Sequence, residues 1–192
     1  MRAKEKNRQR FNKLVTDMIE SHQGSPVFGA ELGVWQGQLS AALLESFPQL
    51  HLLMVDRWMP YETSRLGKRT DREGFLFCMS QAMRSTDQWS DRRLLLAADT
   101  TSALRLVPDG SLDFVFVDAD HVYEAVLTDL NNWWPKLRKH EGRTKGLMCG
   151  HDYCSGRWAQ TKRAIDTFAA SVGGRIIVVD EQEGLWQLAF GY

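Results

Sequence analysis

Five short apolar runs punctuate this chain: "VFGAEL" at 27–32, "HLLMVD" at 51–56, "RLLLAAD" at 93–99, "SLDFVFVDAD" at 111–120 and "KGLMCGHDY" at 145–153. None alternates polar with apolar residues, as a strand with one wet face would, so each run asks for cover on both sides. Between them lie segments with helical spacing, such as Phe75, Cys78 and Met79 within 72–85 and the stretch 122–139 behind the fourth run. Buried strands alternating with helices imply a mostly parallel sheet with helices on both faces, and right-handed crossovers make the doubly wound, Rossmann-like arrangement the default. The last run, "RIIVVDEQEGLWQLAF", reads as a C-terminal antiparallel hairpin around a tight polar turn, which brings the sheet to seven strands.

Other segments frame this core. Phe11, Leu14, Val15, Met18 and Ile19 predict an amphipathic helix over 3–22, with an apolar stripe that suits either its own sheet or a second subunit. Residues 57–74 begin as a polar loop broken by Pro60 and Gly67, of a length that suits a lid or an acceptor-recognition segment. No Pro/Gly/Ser-rich stretch divides the 192 residues, so a single domain is expected. The basic tract at 139–146 has no functional reading.

Twenty-four Lys and Arg balance twenty-four Asp and Glu, which removes the electrostatic argument for nucleic acid or an anionic membrane and favours a small-molecule partner. Three cysteines without a CxxC pair give neither a disulfide framework nor a thiolate zinc site, and point to a reducing, cytoplasmic setting. The amino end carries no apolar run long enough for a signal peptide or membrane span.

In a doubly wound sheet, ligands bind at the carboxyl ends of the strands. Five consecutive strands here end in polar residues: Glu31 with Gly33, Asp56, Asp99, Asp118 with Asp120 and His121, and His151 with Asp152. The first turn, "ELGVWQGQLS", departs from a GxGxxG dinucleotide fingerprint, and an acid ahead of its glycines would repel a pyrophosphate but suit an ammonium group. Asp56 stands where an acid commonly grips ribose hydroxyls, and Asp99 can accept from an adenine amino group. Taken singly, Asp56 and Asp99 also read as loop charge and helix cap. The three strand ends taken in order favour a nucleoside site.

The stretches "GAELGVWQGQLS", "HLLMVD", "LAADTTSAL", "LDFVFVDADHVYEAVLTDLNNWWPKLR" and "KGLMCGHDY" together resemble class I S-adenosylmethionine-dependent methyltransferases. Within that class, "FVFVDADHVYE" is similar to the small catechol and caffeoyl-coenzyme A O-methyltransferases and to bacterial relatives in sugar and antibiotic tailoring. The resemblance implies that Glu31, Gly33 and Gly37 surround the methionine moiety, that Asp56 holds the ribose, and that Asp99 and Thr100 lie near adenine. Trp35, Ser40, Arg57 and Asp120 are placed on the cofactor side, and Asp118 borders both the cofactor and the reacting end. Metal-dependent relatives hold a divalent cation such as Mg through an aspartate and an Asp-Asn pair. Here Asp118 and Asp152 match, and Tyr153 stands in place of the asparagine.

A hydroxyl acceptor must lose its proton, either to a base or because a divalent metal lowers its pKa. Asp118 and Asp152, on strands expected to be neighbours, are the candidate metal ligands, and oxygen donors suit Mg, Ca or Mn. His121 and His151 are the candidate bases. Two further readings compete: a metal-dependent hydrolase using Asp118, Asp120, His121, His151 and Asp152, and a non-catalytic cofactor-binding protein.

Overall fold

A computed structural model describes residues 24–59, 72–140, 143–144, 146–182 and 184–190. The helix expected over 3–22 lies outside these residues, as does most of the segment expected to form a lid. Strand β1 is Val27–Leu32, β2 is Leu50–Asp56, β3 is Arg93–Ala97, β4 is Phe114–Val117 and β7 is Leu147–Gly150. All five are parallel, in the order β3-β2-β1-β4-β7. The terminal hairpin, β8 (Arg175–Asp180) and β9 (Leu185–Ala189), inserts β9 antiparallel beside β7 and leaves β8 at the edge. The seven-stranded, mostly parallel sheet is the one the apolar runs predict.

Odd and even strand positions feed different layers. Leu52, Met54, Phe114 and Phe116 pack against α1 (Gln38–Ser46) and α2 (Arg72–Ser85) through Leu43, Leu44, Phe75, Cys78 and Ala82. Their neighbours Val55, Val115 and Val117 turn to the opposite layer. There they meet α3 (Thr100–Ala103), α4 (Tyr123–Trp133) and α5 (Ala159–Ser171) through Ala103, Val126, Leu130, Ala164, Ile165 and Phe168. These central strand positions thus have apolar neighbours on both faces of the sheet, which is why the runs do not alternate.

One expectation is corrected. The helix behind the fourth strand stops at Trp133 and not at 139, because Pro135 lacks the amide a further α turn needs; Trp134–Lys136 close as a 3-10 turn. The basic tract that follows makes a separate two-stranded ribbon, β5 (Lys139–His140) with β6 (Arg143–Thr144).

From β1 the chain crosses to β2 and β3 on one side, then returns to β4 on the other. Crossovers therefore leave in opposite directions at the carboxyl ends of β1 and β4, and a crevice opens there.

Candidate active site

That crevice is a cavity of about 1490 Å³ reaching all five parallel-strand ends except β7's Asp152, with Glu31, Asp56, Asp99, Asp118 and His151 on its wall. It is roomy enough for a nucleoside cofactor and a small acceptor together. Among the described residues its charge is lopsided: Glu31, Asp56, Asp99, Asp118, Asp120 and Asp129 face it, set against Arg57. Such a wall attracts a cationic ligand and repels a pyrophosphate.

The floor is the turn after β1. Gly33 has φ +89, and a Cβ on it would stand 2.1 Å from the Asp118 carbonyl oxygen, so only glycine lets β1 and β4 diverge this closely. Asp56 shapes the turn from the side: one carboxylate oxygen accepts from the amides of Val34 (3.0 Å) and Trp35 (2.9 Å), the other from Trp58 (2.8 Å). Burial pushes the Asp56 carboxyl up, against the pull of those amides. Trp58 is buried and donates its indole N–H to the Trp35 carbonyl at 2.8 Å, which fixes Trp35 on the cavity wall with φ +54.

Glu31 is 2% exposed and pairs with the hydroxyl of Ser40, itself fully buried. Burial raises its pKa to about 8; the Ser40 hydrogen bond opposes the rise, and the Asp118 and Asp56 charges add to it. In the free cavity Glu31 is thus a neutral acid at the physiological pH range's lower side, ready to ionise against a cationic ligand. Ser40, expected on the cofactor side, does not line the cavity and acts through Glu31. Gly37 is likewise set back: a Cβ there would meet the Ala82 backbone at 2.9 Å, so the residue admits α2 and not a ligand.

At the adenine end expected from sequence, Asp99 caps α3, accepting from the Ser102 amide (2.8 Å) and hydroxyl (2.7 Å), and these bonds hold its carboxyl low. Asp120 accepts from the amides of His121 (2.6 Å) and Val122 (3.0 Å), in the turn just ahead of α4. Both still border the cavity, with Thr100, whose hydroxyl donates to Asp129 at 2.5 Å. Burial raises the Asp129 carboxyl to about 6, the Thr100 bond opposing and the Asp120 and Asp99 charges adding. Sequence reasoning missed Asp129, though it falls on the apolar stripe of Val126, Leu130 and Trp133, where a charge is out of place.

At the reacting edge β4 and β7 bring Asp118, His121, His151 and Asp152 together. His121 Nε2 lies 2.6 Å from an Asp152 oxygen and 3.6 Å from an Asp118 oxygen; His151 Nδ1 is 3.4 Å from the other Asp152 oxygen. Burial works against charge on His121, but the hydrogen bonds and charges of the two carboxylates prevail and hold it up at about 9. Burial likewise opposes the Asp152 charge, and His121 and His151 together bring its pKa down to about 2. Tyr153 points elsewhere, its hydroxyl donating to Asp166 on α5 at 2.6 Å. Trp158, also absent from the sequence-derived set, stacks on the His121 ring at 4.1 Å between centroids. Two carboxylates converging on one imidazole nitrogen are a donor set that fits a divalent cation. The acid-lined cavity with its open glycine turn fits the ammonium and sulfonium of S-adenosylmethionine.

Comparison with known proteins agrees with this geometry. Residues 30–153 match the sequence model of a family described as a methyltransferase domain. No curated protein matches the chain. Among solved structures, the O-methyltransferase NovP is similar at 18% identity and TM-score 0.68, over 95% of this chain and 80% of that one. The TDP-rhamnose 3'-O-methyltransferase CalS11 of calicheamicin biosynthesis is similar at 13% identity and TM-score 0.68, over 100% and 82%. A 1,6-didemethyltoxoflavin N1-methyltransferase from Burkholderia thailandensis, solved with S-adenosylhomocysteine, is similar at 14% identity and TM-score 0.54, over 90% and 72%.

Proposed function

The chain belongs to the methyltransferase-domain family and is an S-adenosylmethionine-dependent enzyme, and on that premise we propose that it methylates an oxygen of a small molecule. The observation that carries this reading is the continuity of one cavity from Glu31, Gly33 and Asp56 to Asp118 and His151. Methyl donor and proton acceptor then stand in one chamber. The oxygen assignment is supported by the names of NovP and CalS11 as O-methyltransferases. The hydrolase alternative is set aside, because it makes no use of the first three strand ends and the family is one of methyltransferases.

S-adenosylmethionine, when bound, supplies a methyl group already activated by the sulfonium, so the protein's work is alignment, exclusion of water and removal of the acceptor's proton. Glu31 would face the cofactor's ammonium group, Asp56 its ribose hydroxyls, and Asp99 with Thr100 its adenine. As the new oxygen–carbon bond forms and the sulfur–carbon bond breaks, the hydroxyl proton passes to His151, which lines the cavity with Nδ1 beside Asp152. His121, held protonated between two carboxylates up to about pH 9, has no free nitrogen to take that proton at neutral pH. Asp118 and Asp152 are the residues that would hold a divalent cation, which supplies a Lewis acid that lowers the hydroxyl pKa.

The test is transfer of labelled methyl from S-adenosylmethionine to a fractionated cell extract, with the product identified by mass spectrometry, before and after exhaustive chelation. A labelled small molecule with a methyl ether is expected, with activity lost on chelation and restored by a divalent cation. Label appearing only on protein or nucleic acid contradicts the acceptor reading, and full activity after chelation removes the cation.

A further inference from the structure

We propose that His121 supplies a nitrogen donor to the cation held by Asp118 and Asp152, so that the site prefers a later first-row cation such as Co or Zn over Mg or Ca. The inference rests on the cation reading above and changes its donor chemistry. Oxygen donors alone suit Mg, Ca or Mn, whereas imidazole suits Zn and the later first-row metals.

Three observations carry it. Nε2 of His121 and one oxygen from each of Asp118 and Asp152 all lie within 4.8 Å of one another. Donors bound to a single ion at about 2.1 Å stand roughly 3–3.5 Å apart, and the two pairs through Nε2, at 2.6 and 3.6 Å, lie on either side of that spacing. Tyr153, next to Asp152, turns its hydroxyl away to Asp166, so the third donor facing the two carboxylates is the imidazole of His121.

The imidazole is also held for the task. Trp158 lies against one face at 4.1 Å, tilted by 30°, and the Arg157 guanidinium backs Trp158 at 4.5 Å. The His121 amide donates to Asp120 at 2.6 Å, and its carbonyl accepts from the Thr161 hydroxyl at 3.3 Å. Ring plane and backbone are fixed from α5 and from the start of α4, leaving Nε2 aimed at the two carboxylates. On coordination the metal replaces the proton that Nε2 shares with Asp152, and that proton leaves to solvent.

The measurement is calorimetric titration of the metal-free protein, holding S-adenosylhomocysteine, with Zn, Mn and Mg salts in turn, together with the visible absorption spectrum of the Co form. A higher affinity for Zn than for Mg does not by itself identify the donor, so the decisive quantity is how His121→Ala changes that ranking. Loss of the nitrogen donor is expected to cut Zn and Co affinity at least ten-fold, to leave Mg affinity within about two-fold, and to shift the Co bands. His121→Asn serves as the second variant should His121→Ala fail to fold. Equal losses for Zn and Mg, or an unchanged Co spectrum, overturn the proposal and make His121 the partner of a structural ion pair. Cofactor binding is read separately: its absence contradicts the methyltransferase site, whatever the cations do.

Discussion

Replacing Glu31 by glutamine tests the electrostatics of the cofactor floor without removing its hydrogen bond, since the amide can still pair with Ser40. In the folded, ligand-free protein Glu31 keeps its proton up to about pH 8, against 4.5 in an unexceptional setting. Between those values the native state binds a proton that the unfolded chain has released, so stability must fall as pH rises. The sign is that of any group whose folded pKa is raised: the contribution is whole below 4.5 and lost as pH climbs through 8. At 1.36 kcal/mol per pH unit the full interval is worth about 5 kcal/mol, and the two units from pH 5 to pH 7 about 3 kcal/mol. Other groups titrate in that range as well, so the quantity to measure is the difference between variant and parent. Urea unfolding at pH 5, 6, 7 and 8 without cofactor should show E31Q gaining about 3 kcal/mol on the parent between pH 5 and 7. Parallel curves for the two proteins would refute the claim that Glu31 is a buried neutral acid.

Further expectations follow from the same geometry. Gly33→Ala drives a Cβ to 2.1 Å from the Asp118 carbonyl at a backbone angle of φ +89, so it should abolish S-adenosylhomocysteine binding in calorimetry and lower the melting temperature by several degrees. Asp56→Asn keeps the size but replaces one accepting oxygen by a donor that faces backbone amides; about 1–3 kcal/mol of stability should go, with at least ten-fold of cofactor affinity. In metal-free protein, Asp152→Asn removes one of the two carboxylates that hold His121 charged up to about pH 9. Its destabilisation in thermal melts should be full between about pH 4, above which Asp152 is ionised folded or unfolded, and pH 6.5, and fade as pH rises through 9, where the parent's His121 has lost its charge too.

The sheet was legible because its strands are covered on both faces, and the resulting uninterrupted runs of Val, Leu and Phe cannot serve a surface. The strand-end acids were legible for the same reason: Glu31, Asp56 and Asp118 follow apolar runs at points where a chain with nothing to bind has little use for charge. Contacts set by side-chain direction were not. Nothing in "QGQLS" tells that Ser40 turns inward to Glu31 or that Gly37 makes room for α2. Asp99 illustrates a further limit, since a carboxylate that caps a helix and one that faces a ligand look alike in sequence, and here Asp99 borders the cavity while capping. The stacking of Trp158 on His121 joins residues 37 positions apart across two strand ends, and no periodicity announces it. The break at Pro135 could have been read from the missing amide alone.

The central claim is that the acid-lined cavity at the β1 and β4 ends takes S-adenosylmethionine. Calorimetric titration of the purified protein with S-adenosylhomocysteine tests it most directly: one molecule bound per chain, with binding lost in Gly33→Ala and weakened at least ten-fold in Asp56→Asn. Absence of heat in the parent, or binding that neither substitution disturbs, would contradict the account.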